Sequence, residues 1–400
     1  MAFMQGRELF SGIRVIELAS VLAGPSVGQF FAELGAEVIK IENPGNHGDV
    51  TRTWKLRDEV GGDISAYFAS INWGKKSMAL DISGKQGLEI LHKLLPKTDI
   101  VIASYKPGDA EKLGVDYQSL KKIKKDLLYG KITGYGEGNP KVGYDAIIQA
   151  EAGFMSMNGE QGGRPVKMPV ALMDILAGHH LKEALLLAYI HKLKTREGSE
   201  VSVSLIEAAV ASLANQGTNW LMAGKVPSRQ GSSHPNIAPY GDIFSSKDQR
   251  EIILAVGTDR QFSFLCKCLN LNDLPLSEAY KNNSARVRNR QALYELLQSA
   301  ISQRESGNLL EQLNKLKVPV GVVQSVKEAV QMEEVRSLSL EQSGARGIAT
   351  FAAHFSGEKE KNPHLSPPPH FGAHTHEILT SELCMTDDEI QRLKNLSIVA

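Results

Sequence analysis

A carboxylate at the start of a helix is the group in this chain best placed to do covalent chemistry. Asp174 follows Pro169-Val-Ala-Leu-Met173, and the Leu- and Ala-rich pattern after it predicts a helix over 175–193. Unpaired amides and the dipole at a helix N-terminus stabilise an anion there, by roughly 0.3–1 kcal/mol when exposed and more when partly buried. Such a carboxylate stays charged at neutral pH and can attack an electrophilic carbonyl, splitting one hard step into easier ones. Neighbouring amides can hold the tetrahedral oxyanions. Asp is equally favoured as an N-cap with no chemistry at all, and the local sequence leaves both roles open.

Other reactive groups fit familiar chemistries less well. His179 and His180, with Glu183, fall on the same helix, but adjacent helical residues point roughly 100° apart and do not chelate together. His364, His370, His374 and His376 are separated by proline and glycine, and no cysteine joins them. Cys266 and Cys268 are spaced wrongly for a zinc knuckle, so no metal site is expected. Gly231-Ser-Ser-His234 lacks the Gly-x-Ser-x-Gly elbow of a serine hydrolase. Gly24 and Gly28, with Glu42, imitate a nicotinamide fingerprint only faintly. The full glycine spacing is missing, and Pro25 removes an amide that pyrophosphate would need.

The elements that must position Asp174 read as an α/β fold. Residues 12–19 carry four large apolar side chains and predict a buried strand. Ala23-Gly24-Pro25 is a turn into a helix, with Pro25 suited to the helix's first position, where its missing N–H would be unpaired anyway. Val27, Phe30, Phe31 and Leu34 give that helix one apolar face. Gly35 ends it, and 38–41 is the next strand. Such a unit is parallel with a right-handed crossover, and its turn, 21–24, should border a pocket. Further strands are expected at 77–82, 100–103, 127–133 and 200–205, with helices between, so the large domain is a Rossmann-like open parallel sheet. A helical stretch is expected over 205–222. The texture changes near Lys225, where Gly, Pro, Ser and Asn crowd together. The expected organisation is a large α/β domain over 1–200, a linker helix over 201–225, a smaller α+β domain over 226–340 and an irregular return linker over 341–375. Within the smaller domain, 251–258 reads as a strand, and 260–269, 291–301 and 308–316 read as helices.

Bulk composition sets outer bounds. The 400 residues are 42% hydrophobic, enough for sizeable cores, and 45 basic residues balance 45 acidic ones. Nothing in that balance points to nucleic acid or a membrane surface. Three cysteines make no disulfide framework and fit a reducing compartment. No apolar run approaches the ~18 residues of a membrane span, and the first residues lack a signal-peptide core. A cytoplasmic protein is expected.

The run VIELASVLAGPSVGQFFAELGAEVIKIENP, followed by GDVTRTW, resembles the start of the class III CoA-transferases, the superfamily of formyl-CoA transferase, carnitine CoA-transferase and methylacyl-CoA racemase. The likeness continues through NWGKKSMALDI, VIASYKPGDAEKLGVDY, ITGYGEGNP, GYDAIIQAEAGFM, PVALMDILAG and KVPVGVV to PPPHFGAHTHEIL. Within the family it is similar above all to the succinyl-CoA:dicarboxylate branch. The resemblance implies an interlocked homodimer whose large domain is completed by residues 375–400. It implies an acyl-CoA donor and a small carboxylic or dicarboxylic acceptor, with coenzyme A as substrate and no permanently bound cofactor.

Residue by residue, the resemblance places Asp174 at the family's catalytic aspartate, in a matching Pro-Val-Ala-x-x-Asp-x-x-x-Gly setting. It places Val21, Leu22 and Ala23 at the first βα turn along CoA, Leu80 at an adenine-lining position, and Ser104, Tyr105 and Lys106 in a later CoA loop. Leu22-Ala23 stands where formyl-CoA transferases carry Gln-Ala. Asn43 and Lys112 each stand where relatives carry a CoA-contacting Arg. Tyr144 occupies a CoA-contacting position at which racemases carry a His. A phenol of pKa about 10 is a poor base at an α-carbon, which favours transfer over racemisation. Gly231, Ser232, Ser233 and His234 match the loop that shields reactive intermediates. For Lys106 and Lys112 a solvated surface role competes with phosphate contact. The alternatives are an α-methylacyl-CoA racemase or epimerase, a non-catalytic CoA-binding protein and, most remotely, a nicotinamide dehydrogenase.

Overall fold

The computed structural model describes residues 8–59, 62–356 and 365–400. The apolar run after Gly12 forms strand β1 (Arg14–Leu18), and helix α1 (Ala23–Glu33) leads to β2 (Glu37–Glu42). The pattern repeats with β3 (Lys75–Ala79), α2 (Lys85–Leu94), β4 (Ile100–Ala103) and β5 (Leu128–Thr133). Two helices, α3 (Asp145–Glu151) and α4 (Leu172–Thr195), precede the last strand, β6 (Ser199–Ser204), and α5 (Leu205–Ala211) comes after it. The six strands pair in the order β3-β2-β1-β4-β5-β6, all parallel. Strand order reverses between β1 and β4. A crevice therefore opens beyond their carboxyl ends, where such sheets bind ligands.

Both faces of the sheet are covered, as parallel strands require. Val15, Ile16, Ile39, Val101 and Ile102 are fully buried. On one face α1 and α4 contribute Val27, Phe31, Leu181 and Leu185, also fully buried, each stabilising by roughly 1.5–3 kcal/mol. The two helices approach closely because Gly178 has no side chain: a Cβ there would lie 2.4 Å from Ser26 Oγ.

Contacts divide the chain into two units, one comprising Met1–Gly153, Met168–Thr218 and Glu333–Ala400, the other Phe154–Lys167 and Asn219–Met332. In the second unit β7 (Tyr240–Ser245), β8 (Glu251–Ala255), α6 (Asp259–Cys268), α7 (Arg290–Ile301), α8 (Ser306–Lys315) and β9 (Val320–Val322) surround a separate core that includes Phe244, Leu254, Phe262 and Leu297. Its sheet, β7-β8-β9, is antiparallel. The chain then forms a hairpin, β10 (Ser339–Gln342) and β11 (Ala345–Ile348), and helices α9 (Thr375–Leu383) and α10 (Asp387–Asn395). Ile378, Leu379, Ile390 and Val399 join Leu91 and Leu94 of α2 in one core.

Several expectations shift. The strand expected over 77–82 lies at Lys75–Ala79, because two lysines are buried or half-buried there by ion pairs. The stretch 205–222 is two helices, interrupted where Ala214 takes a φ of 49°. The segment 341–375 contains part of a hairpin as well as irregular backbone. Among the described residues, no group of three or more His, Cys, Asp and Glu side chains could hold a metal. His370 contacts Asp63, His374 accepts from the Ser77 amide and His376 contacts Asp387. His364 lies outside the described residues.

Gly28 has the tightest side-chain exclusion in α1. A Cβ there would sit 1.9 Å from Glu17 Oε2, whose carboxylate is held by two ammonium groups. Gly28→Ala should therefore lower folding stability by about 1–3 kcal/mol, read from the denaturant midpoint. An unchanged midpoint would mean that the carboxylate can move aside.

Candidate active site

Asp174 is the third residue of α4, and Ala171 occupies the N-cap without a side-chain hydrogen bond. The capping role open to Asp174 from sequence is therefore not the one it takes. Its position comes from the segment before it. Asp145, the first residue of α3, accepts the Met173 amide on Oδ1 at 2.8 Å and Gln149 Nε2 on Oδ2 at 2.7 Å. Gln149 is buried, and its Oε1 accepts the Met168 amide at 2.8 Å. These two side chains strap residues 168–173 to α3 and fix where α4 begins.

Asp174 is 8% exposed, and its carboxylate accepts no hydrogen bond from the described residues. Burial, and then the negative charge of Asp145, push its pKa up to about 7. Desolvation is the largest influence on it, so the carboxylate is not held fully charged at neutral pH as its helix-terminal position in the sequence suggests. Tyr67 feels the same carboxylates. Burial first, then Asp174, Asp145 and Asp49, push its phenol up to about 12, so it stays a neutral donor.

Beneath the first βα turn lies a buried ion cluster. Glu17 Oε1 meets Lys40 Nζ at 2.9 Å and its Oε2 meets Lys75 Nζ at 2.8 Å. Lys40 also meets Asp49 Oδ2 at 2.9 Å and donates to the Ala19 carbonyl at 2.7 Å. Burial alone would lower the Lys40 pKa, but Glu17, Asp49 and Glu42 together raise it. Asp49 in turn accepts the Val21 amide on both oxygens, at 3.3 and 3.2 Å.

Two cavities of about 290 Å³ each open beyond the strand ends in this unit. One is lined by Asp174 together with Val21, Leu22, Ala23, Ser104, Tyr105, Lys106 and Tyr144. The other is lined by Asn43 and Leu80 and shares Ser20, Ser104 and Tyr105 with the first. Most of the residues singled out from sequence thus come together along one path that ends at Asp174. Asn43 also caps a short turn, accepting the Gly45 amide at 2.7 Å. Lys112 lines neither cavity; it is exposed and paired with Asp109 at 3.0 Å. Gly231–His234 belongs to the second unit. There Ser233 Oγ donates to Asp242 at 2.5 Å, and the His234 amide donates to the Tyr240 carbonyl at 2.8 Å. Sequence reasoning misses Lys141, which lines the Asp174 cavity, and Lys40 and Asp49, which line the other. The resemblance runs ending in VIKIENP and GDVTRTW include Lys40 and Asp49, but nothing local in either run marks these two residues as partners.

Comparisons with known proteins agree with this geometry. The model of CoA-transferase family III matches residues 10–375. The chain is 38% identical over 337 residues to the succinate–glutarate CoA-transferase of Agrobacterium fabrum, covering 82% of this chain and 84% of that protein. It is 33% identical to human succinyl-CoA:glutarate CoA-transferase, covering 97% and 89%. The crystal structure of a CAIB/BAIF family protein from Brucella suis superposes with a TM-score of 0.83 at 36% identity, covering 93% of this chain and 99% of that one. A turn, a strapped helix start and a crevice at the sheet's reversal point therefore coincide with whole-chain similarity, and the chain belongs to CoA-transferase family III.

Proposed function

We propose that the protein moves CoA from succinyl-CoA to a second small dicarboxylate, glutarate being the first candidate, through a covalent intermediate on Asp174. The carrying observation is a buried carboxylate without a compensating cation, poised near neutrality, in a cavity formed with the first βα turn. The names of the Agrobacterium and human relatives support the substrate pair.

Asp174 Oδ attacks the thioester carbonyl carbon, and the C–S bond breaks as CoA thiolate leaves. The product is a mixed anhydride between Asp174 and succinate. The thiolate attacks the aspartyl carbonyl, releasing succinate and leaving an aspartyl-CoA thioester. The acceptor carboxylate then attacks that thioester, and the thiolate returns to the acceptor's carbonyl, freeing Asp174. No proton is consumed in the cycle, and the thioester's energy is retained. Coenzyme A enters and leaves as part of the substrate. Its nucleotide end is assigned to the cavity of Asn43 and Leu80, its pantetheine to the shared Ser104–Tyr105 lining. Lys106 and Lys141 line the Asp174 cavity; Lys141 is paired with Glu151, which leaves Lys106 to supply positive charge for a phosphate or the acceptor's far carboxylate. Tyr144, a phenol where a racemase needs a base, favours transfer over α-proton exchange.

A homodimer is part of this reading. Helix α4 exposes Leu187, Ile190 and Leu193 at 69%, 48% and 59%, spaced along one side, an apolar stripe of the kind a second copy covers. Light scattering should give about twice the 43.6 kDa of one chain; a monomer at micromolar concentration removes the dimer from the proposal.

Asp174→Ala should abolish transfer between succinyl-CoA and glutarate while CoA still binds. Hydroxylamine added during turnover should label the peptide containing residue 174, read by mass. Residual turnover in that variant would falsify the aspartyl route. Because the attacking form is the anion, kcat/KM should fall on the acid side with a midpoint near 7. Asp145→Asn removes a neighbouring negative charge and should move the midpoint down; a midpoint that stays or rises contradicts the electrostatic assignment. The same raised pKa means that the folded protein holds the Asp174 proton more tightly than the unfolded chain does. That contribution is full below the unfolded value of about 4 and lost as pH rises through about 7. Asp174→Asn should accordingly raise Tm more at pH 8 than at pH 4, worth up to roughly 4 kcal/mol.

A further inference from the structure

Val21 takes a φ of 71°, a left-handed conformation that is a genuine outlier for a β-branched residue. Such backbones persist only where their surroundings over-determine them. Here the surroundings are specific. Asp49 accepts the Val21 amide on both carboxylate oxygens, at 3.3 and 3.2 Å. The carboxylate is itself oriented by the Thr51 amide at 3.0 Å, the Thr51 hydroxyl at 2.8 Å and Lys40 at 2.9 Å. The Asp49 amide donates to Glu42 Oε2 at 2.9 Å. Lys40 also donates to the Ala19 carbonyl, two residues before Val21, at 2.7 Å. One buried ion pair therefore grips the turn at both ends of Ala19–Val21.

The residues directly after Val21 belong to the cavity. Leu22 is the N-cap of α1, with φ −134° and ψ −51°, and Ala23 is its first residue. Val21, Leu22 and Ala23 all line the cavity that holds Asp174. The backbone direction set at Val21 decides how these residues face Asp174. The first amides of α1 have no intrahelical acceptor, so that direction also sets where they point.

We infer that Asp49 is a positioning residue for the transfer reaction: together with Lys40 and Thr51 it holds Val21 left-handed, and so fixes the start of α1 against Asp174. The inference rests on the reading of Asp174 as the reacting group. The competing role for Asp49 is purely architectural, as cap of the short turn Val50–Thr53 and counter-ion of Lys40.

A double-mutant cycle separates the two roles. Glycine adopts positive φ without strain, so Val21→Gly removes the need for a clamp but leaves the charge balance alone. Rates of CoA transfer from succinyl-CoA to glutarate are measured with Asp49→Asn in the native and in the Val21→Gly background. Asp49→Asn should lower kcat/KM by about tenfold or more against native Val21 and by less than about threefold in the Val21→Gly background. A loss in melting temperature should remain in both backgrounds, because the Lys40–Asp49 pair is lost either way. Equal losses of kcat/KM in the two backgrounds, or no loss in either, overturn the inference. Should Asp49→Asn fail to fold, Thr51→Val removes only the hydroxyl that orients Asp49. It should give a smaller loss of about threefold, erased by Val21→Gly; a folded Thr51→Val enzyme with native kcat/KM overturns the inference equally. Full turnover in Asp174→Ala defeats the underlying reading instead, and does so whatever the cycle shows.

Discussion

One buried carboxylate in β1 held by two ammonium groups, one from β2 and one from β3, is the constraint on which the rest of the first unit depends. Glu17 in β1 lies in register with Lys40 in β2, and Lys75 reaches Glu17 from β3. All three side chains are 0–1% exposed. Burying each ion costs several kcal/mol before its partners offset it, so the cluster is weak evidence for stability. Its consequence is specificity. A parallel sheet of Val and Ile can slip, whereas a one-residue slip here strands a charge in the core. Gly28 is part of the same device, because any side chain there would occupy the space of the Glu17 carboxylate. Lys40 then extends the device beyond the sheet, to the Ala19 carbonyl and Asp49.

Three buried carboxylates of this unit, Glu42, Asp49 and Asp174, are pushed in opposite directions. Burial raises Glu42 and Asp49, but Arg52 for the first and Lys40 for the second outweigh it, and both end below the ordinary range. They are ionised scaffolding at every physiological pH. Asp174 is also buried, yet the charge that acts on it is another carboxylate, and it ends near 7. Environments that push chemically identical groups apart are how one fold separates structural from reacting acids. The contrast is local: Val21, which Asp49 grips, lines the cavity of Asp174.

Much of this is legible in sequence, for identifiable reasons. The βαβ unit is readable because apolar periodicity and Pro25 act locally, and β1, α1 and β2 appear with it. The three helices expected in the second unit lie within two residues of their expected positions for the same reason. Asp174 is legible only through its motif, since its pKa is set by burial and by Asp145, 29 positions earlier. The reach of Lys40 to Asp49 and of Asp49 to Val21 depends on strands brought side by side, and no local pattern encodes it. The β3 boundary differs because lysines, poor strand formers in isolation, are paired across the sheet.

Asp145 shows why such a site resists being made more stable. Its Oδ1 holds the Met173 amide and so fixes the start of α4. Its charge simultaneously opposes ionisation of Asp174, one residue beyond that amide. A neutral acceptor in its place would keep the hydrogen bond and relieve the repulsion, but it would leave Asp174 a weaker base and its anion less driven to attack. Such an acceptor would also meet Gln149 Nε2 with a second donor, so only a carboxylate holds both Met173 and Gln149, and it brings the repulsion of Asp174 with it.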